Sequence, residues 1–120
     1  PLGGIYHIPH GLSNSLVLTH VLKFNIVDSK AAQLYTELAP SLFPKMDVST
    51  DHQDVSARFI ENLASLSKDL GLEQKLRGLN IPKNACAKLA SDAMKQTRLL
   101  INNPREITEK DAYNIYKSAW

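Results

Sequence analysis

Histidine is the commonest neutral metal ligand and a general acid–base, and this chain has four. His7 and His10 stand three apart, a spacing that lets two imidazoles share one metal if the turn between them is suitably shaped. Two ligands are too few for a tight site, so on spacing alone they read as polar loop histidines. His20 falls roughly 15 Å further along a helical path, out of reach of that pair unless the backbone before Gly11 folds back. It reads as a buried, hydrogen-bonded histidine on a mostly apolar helix. His52, beside Asp51 and Asp54, reads as a solvated residue of a helix start.

Cys86 is the only thiol. A nucleophilic cysteine needs a base and an electropositive setting, and no histidine lies near it in sequence, so it reads as a small core residue. There is no Gly-x-Gly-x-x-Gly, phosphate loop, HExxH or Gly-x-Ser-x-Gly. The acid pairs Asp51/Asp54 and Asp69/Glu73 fit solvated helix faces. The residues alone therefore name no catalytic group and no cofactor-binding group.

The elements that must position these side chains are helical. From Leu12 to Phe24 the apolar residues point in nearly every direction at ~100° per residue, which predicts a helix buried on most sides, with Ser13 as its cap. Asp28 or Ser29 opens a second helix to Ala39 with the stripe Ala31, Leu34, Tyr35 and Leu38, and Pro40 and Pro44 punctuate the loop after it. Thr50 or Asp51 caps a third, striped by Val55, Phe59, Leu63, Leu66 and Leu70 and closed by Gly71. Pro82 opens a fourth carrying Ala85, Leu89, Ala93 and Met94, which runs to the Asn102-Asn103-Pro104 loop. Thr108 and Asp111 are spaced as a capping box for a last helix with Ala112, Ile115, Tyr116 and Ala119 on one face. Tyr35, Phe59, Tyr113 and Tyr116 sit on these stripes as core aromatics. No stretch alternates at period two, so the expectation is an all-α bundle of five or six helices forming a single domain over residues 1–120.

Composition narrows the classes. At 120 residues, 43% hydrophobic and 22% charged, the chain can bury one core. One cysteine excludes a disulfide scaffold or a thiolate zinc cage. A net charge of +2 without long basic runs gives no nucleic-acid footprint. The apolar stretch Leu12–Val27 is interrupted by polar residues and cannot span a membrane. The chain opens on Pro-Leu-Gly-Gly without a basic leader or a Met, which points to an excised or processed cytoplasmic segment.

The opening residues, Pro1-Leu-Gly-Gly-Ile-Tyr-His-Ile-Pro-His-Gly-Leu-Ser-Asn-Ser-Leu-Val-Leu-Thr-His-Val, resemble a signature of the iron-dependent, or group III, alcohol dehydrogenases. The matching positions are Pro9-His10-Gly11, Leu12, Asn14, His20 and Val21. Asn103-Pro104-Arg105-Glu106 and the closing Tyr116-Lys117-Ser118-Ala119-Trp120 resemble the C-terminal end of that family, so the likeness spans the chain. It implies the helical C-terminal domain of a two-domain NAD(P)-linked enzyme whose N-terminal dinucleotide-binding domain is the partner. It implies His10 as one ligand of a divalent metal, Fe2+ or Zn2+, with the other ligands outside this chain. It gives His7 no ligand role, makes His20 structural, and places Leu99 and Leu100 toward the substrate side. The chain alone is then expected to be inactive, with neither a cofactor site nor enough metal ligands. The other expectation is a helical metal-binding or self-associating module, a homodimer pooling His7 and His10 across a two-fold axis. A miniature dehydrogenase would need a dinucleotide site for which the sequence offers no glycine-rich turn.

Overall fold

The computed structural model describes residues 1–120 and is all-α, with no strand. Seven helices follow in order: α1 (Leu2–Tyr6), α2 (His10–Asn25), α3 (Ser29–Leu42), α4 (His52–Asp69), α5 (Ala85–Met94), α6 (Thr97–Leu100) and α7 (Glu109–Ala119). A 3-10 turn at Leu76–Leu79 sits between α4 and α5. The bundle class is as expected, with more helices because two short ones lie in stretches read as irregular or continuous. α1 lies in the opening loop. α6 is separate because the fourth helix stops at Met94 and restarts at Thr97.

The helices pack as two pairs joined by α2. α3 lies on α4 and α5 lies on α7, while α2 touches both α4 and α7. Each pair has its own core. Ala39, Val55, Phe59 and Ile60 form one, with Leu22, Ile26, Tyr35, Phe43 and Met46 against it. Leu76, Ile81, Cys86, Leu89, Ala112 and Tyr116 are central to the other, and Leu2, Ile8 and Leu16 join them. α2 therefore gives Leu16 to one core and Leu22 to the other, which is why its apolar residues point to several sides.

Several local expectations are corrected. Ser13 does not cap α2: the helix starts three residues earlier, behind Pro9, and the Ser13 hydroxyl donates back to the Ile8 carbonyl at 3.3 Å. Pro40 lies inside α3. Its ring is exposed, and the last turn still closes through the Phe43 N–H to the Ala39 carbonyl at 2.8 Å. Phe43 packs edge-on against Phe59 at 5.8 Å between ring centroids, which draws the chain onward as helix past the proline. The α3 stripe is rotated, too. Ala31, Ala32, Thr36 and Ala39 are buried, while Leu34 and Leu38 are about half exposed. Small residues on the inward face let α3 and α4 approach closely, and the leucines are left outside. Leu66 of α4 and Leu70 just after it are likewise exposed, and so is Tyr113 on α7.

Other expectations hold. Asp51 caps α4 by accepting from the N–H groups of Gln53 and Asp54. Gly71 follows α4 at φ 74, the left-handed conformation that glycine adopts without strain. Thr108 and Asp111 form a reciprocal capping box on α7, whose buried face is Ala112, Ile115, Tyr116 and Ala119. Helix α2 is locked at its C-terminal end by a polar clasp. Asn25, 2% exposed, exchanges two amide hydrogen bonds with Asn103 (2.9 and 2.8 Å) and also donates to the Tyr35 hydroxyl at 3.0 Å. Arg105 donates to the Phe24 carbonyl at 2.7 Å while its guanidinium lies 3.9 Å from the Phe24 ring centroid. At the chain's end the Trp120 indole N–H donates to the Ile81 carbonyl at 2.9 Å.

Candidate metal centre

His10 is the first residue of α2, where Pro9, unable to donate a helical hydrogen bond, turns the chain into the helix. Its imidazole is exposed, and its Nε2 lies 3.2 Å from the side-chain nitrogen of Asn14, one turn on. The Asn14 amide thus sits against the edge of the ring and restrains its orientation.

The ring stands on the wall of a cleft of about 310 Å³. One side is the start of the chain, Pro1 to Gly3, with His10, Asn14 and Val17 of α2; the other is Gln96 and Leu99, with Tyr116 of α7 at the base. Tyr116 is buried and pushed up to about 12, chiefly by desolvation, with Asp92 and Cys86 adding to the shift. At neutral pH it is therefore a neutral phenol. Leu99, 58% exposed, presents an apolar side chain to the cleft. The cleft thus sets one imidazole beside an apolar wall and a neutral phenol.

The other histidines are elsewhere. His7 ends α1 in the left-handed conformation, φ 54, its N–H donating to the Gly3 carbonyl; it is exposed and lines no part of the His10 cleft. His20 lies on the far half of α2. It is only half-buried and its ring makes no hydrogen bond, a correction to the expected buried and hydrogen-bonded histidine. Desolvation, then the ammonium groups of Lys75 and Lys23, hold it below the usual imidazole value. His52 is exposed in the first turn of α4, as expected. Cys86 is buried in the α5–α7 core, where burial pushes the thiol up and removes nucleophilic character. No three His, Cys, Asp or Glu side chains come together anywhere in the fold, and His10 could offer a metal one nitrogen only.

Leu99, expected toward the substrate side, does line the cleft, whereas Leu100 lines a separate groove with Met94, Ile101 and Ile107. Gln96 and Tyr116 were missed as cleft residues. Tyr116 lies on a stripe that reads as core, and only the fold shows that the same face ends at the cleft.

Known proteins match the whole of this arrangement. The profile of the Fe-containing alcohol dehydrogenase family, C-terminal, matches residues 1–120. Long-chain-alcohol dehydrogenase 1 of Geobacillus thermodenitrificans is 32% identical over all of the chain, and 1,3-propanediol dehydrogenase of Citrobacter freundii 31% identical over 99% of it. A crystal structure of 1,3-propanediol oxidoreductase superposes with a TM-score of 0.89 at 27% identity, covering 99% of this chain. The chain spans about 30% of the length of each of these relatives, in which the same region is part of a larger chain. The chain thus belongs to the Fe-containing alcohol dehydrogenase family, as its C-terminal helical part.

Proposed function

We propose that residues 1–120 form one helical domain that completes the metal cleft of an NAD(P)-linked alcohol dehydrogenase, His10 giving one ligand to a divalent metal, Fe2+ or Zn2+. The observation that carries the reading is the His10 imidazole, exposed on the cleft wall and restrained by the Asn14 amide one turn on. The other ligands and the nicotinamide come from an N-terminal dinucleotide-binding domain. A cytoplasmic location fits such an enzyme. Supporting the idea of a second wall, Gly4 and Gly11 are helical glycines whose Cβ positions face open space. Glycine costs about 1 kcal/mol relative to alanine inside a helix, and nothing in this chain uses the room, so both fit a surface that another backbone approaches closely.

A divalent metal held there supplies Lewis-acid polarisation of the alcohol oxygen during hydride transfer. The chain's own residues bind and orient. Leu99 and Val17 give the cleft an apolar side chain on each flank, which excludes water from the carbon skeleton of a short alcohol. Tyr116, neutral at physiological pH, keeps negative charge away from the developing alkoxide.

The test is a chimera in which this chain replaces the corresponding 30% of the Citrobacter freundii enzyme. The expected result is metal-dependent, NAD(P)-linked oxidation of short alcohols, absent from the 120-residue chain alone. His10→Ala should lose bound metal and at least about a hundredfold in turnover. Full metal content in that variant would remove His10 from the site, and turnover by the isolated chain would overturn the need for a second domain.

A further inference from the structure

On the opposite end of α2 from His10 lies a second, smaller cavity of about 180 Å³, walled by α2, α4 and the Gln74–Lys75 segment. Its lining includes Thr19, His20, Lys23, Ser67, Gln74 and Lys75, and no carboxylate. All but Lys23 are half-buried.

The hydrogen-bond inventory of this cavity is one-sided. Lys23 and His20 have no partner, nor does the Thr19 hydroxyl. Ser67 accepts from Gln74 at 3.1 Å and keeps its own proton free to donate. Lys75 uses one of its three N–H bonds, to the Ser118 carbonyl at 3.1 Å. Neither lysine has an acid within ion-pair distance, since the chain's three ion pairs, Arg58–Asp54, Lys88–Asp92 and Lys95–Asp92, lie elsewhere. Glu73, adjacent in sequence, accepts through one oxygen from the backbone N–H groups of Gln74 and Lys75 at 2.9 and 3.0 Å and does not line the cavity. Asp111, which lines the neighbouring groove on the α7 side of His20, is committed to the Thr108 capping box. Two ammonium groups, an imidazole and two hydroxyls thus line one cavity, and apart from one Lys75 N–H their donors are unspent. Charge-assisted donors of this kind are complemented by an anion with several acceptor oxygens.

We propose that this cavity binds a tetrahedral oxyanion, either inorganic phosphate or the phosphate group of a small phosphorylated molecule, held by Lys23, Lys75, His20, Thr19 and Ser67. The space admits one such group and a water or two, at about 30 Å³ per water. An anion would reverse the unfavourable surroundings of the His20 imidazolium, so binding takes up a proton and strengthens as pH falls. Lys23 and Lys75 oppose that protonation and the bound anion favours it; Asp111, hydrogen-bonded to Thr108, is the one acid that lines a cavity together with His20.

The experiment is a titration of the 15N-labelled 120-residue chain with inorganic phosphate and, separately, with glycerol phosphate, at constant chloride. The expected result is saturable amide shifts confined to Thr19, His20, Lys23, Ser67, Gln74 and Lys75. Lys75→Ala should weaken binding about tenfold, with no change for exposed Lys30→Ala on α3. Tighter binding of the ester assigns the site to phosphorylated molecules, and preference for the free ion assigns it to phosphate; both uphold an oxyanion site. Shifts that fail to saturate, or that spread equally to Lys88, Lys95 and Lys110, overturn it without recourse to any variant. Sulfate, whose charge is constant over this range, isolates the imidazole. Its affinity should rise several-fold from pH 8 to pH 6 in the wild type and stay flat in His20→Asn, and a flat wild-type profile would take His20 out of the site.

Discussion

Asn25 is the residue whose environment departs most from what its type suggests. It is one of the most deeply buried side chains of α2, and its amide is satisfied only because Asn103 and Tyr35 meet it there. Asn103→Leu should cost about 1–3 kcal/mol in urea unfolding, since it leaves a buried amide short of partners. Asn25→Leu with Asn103→Leu should cost less than the sum of the two single changes, which a double-mutant cycle measures directly. Additive losses would mean that the pair does not act as a unit. Nothing local marks this clasp in the sequence, because its members lie 78 positions apart. The resemblance singled out Asn103 and Arg105, and the fold supplies their physical work. On spacing alone His7 and His10 read as polar loop histidines; the motif singled out His10, and the left-handed turn at His7 leaves that residue off the cleft.

At the level of single helices, caps were the most legible features and burial faces the least. Asp51, Gly71 and the Thr108–Asp111 box act through neighbours within a few positions, so short-range sequence contains their whole physics. Thr108→Ala should destabilise the chain by about 1 kcal/mol. Hydrogen bonds from Thr108 hold the Asp111 carboxyl below its usual value. A depressed carboxyl stabilises the fold above its unfolded value and loses that contribution as pH falls through the folded one, so the box weakens below about pH 4. Wild type and Thr108→Ala should accordingly converge in melting temperature under acid; an undiminished difference would detach the box from Asp111 ionisation. The faces of α3 went astray for a different reason. A stripe of leucines is the stronger periodic signal, but α4 needs small residues opposite it, and only the pairing of the two helices reveals that preference.

Across the whole molecule, two cores share one spine, and the base of the cleft belongs to one of them. Tyr116 packs with Leu89 and Ala112 while lining the space beside His10. Its phenol, pushed up to about 12 by burial, makes folding stability depend on alkaline pH. A raised value means that the stabilisation is complete below the unfolded phenol, near 10, and is lost as pH rises toward the folded value. The chain should therefore lose stability between about pH 10 and 12, and Tyr116→Phe should flatten that decline. An equal decline in the variant would locate the alkaline sensitivity elsewhere. The all-α class and the central role of α2 were visible in composition and periodicity, whereas the split into two cores depends on which helices pair across the fold.

The asparagine clasp also has a mechanical consequence. It fastens the far end of a rod about 24 Å long, whose near end bears His10. The same clasp anchors the segment leading back to Leu99 on the opposing wall. A tilt of only about 5° pivoting at Asn25 would swing the imidazole by roughly 2 Å, as much as a metal–nitrogen bond. The position of the His10 ring at the cleft is thus leveraged on two amides at the other end of the rod, and loosening them would shift that ring without altering any residue that touches it.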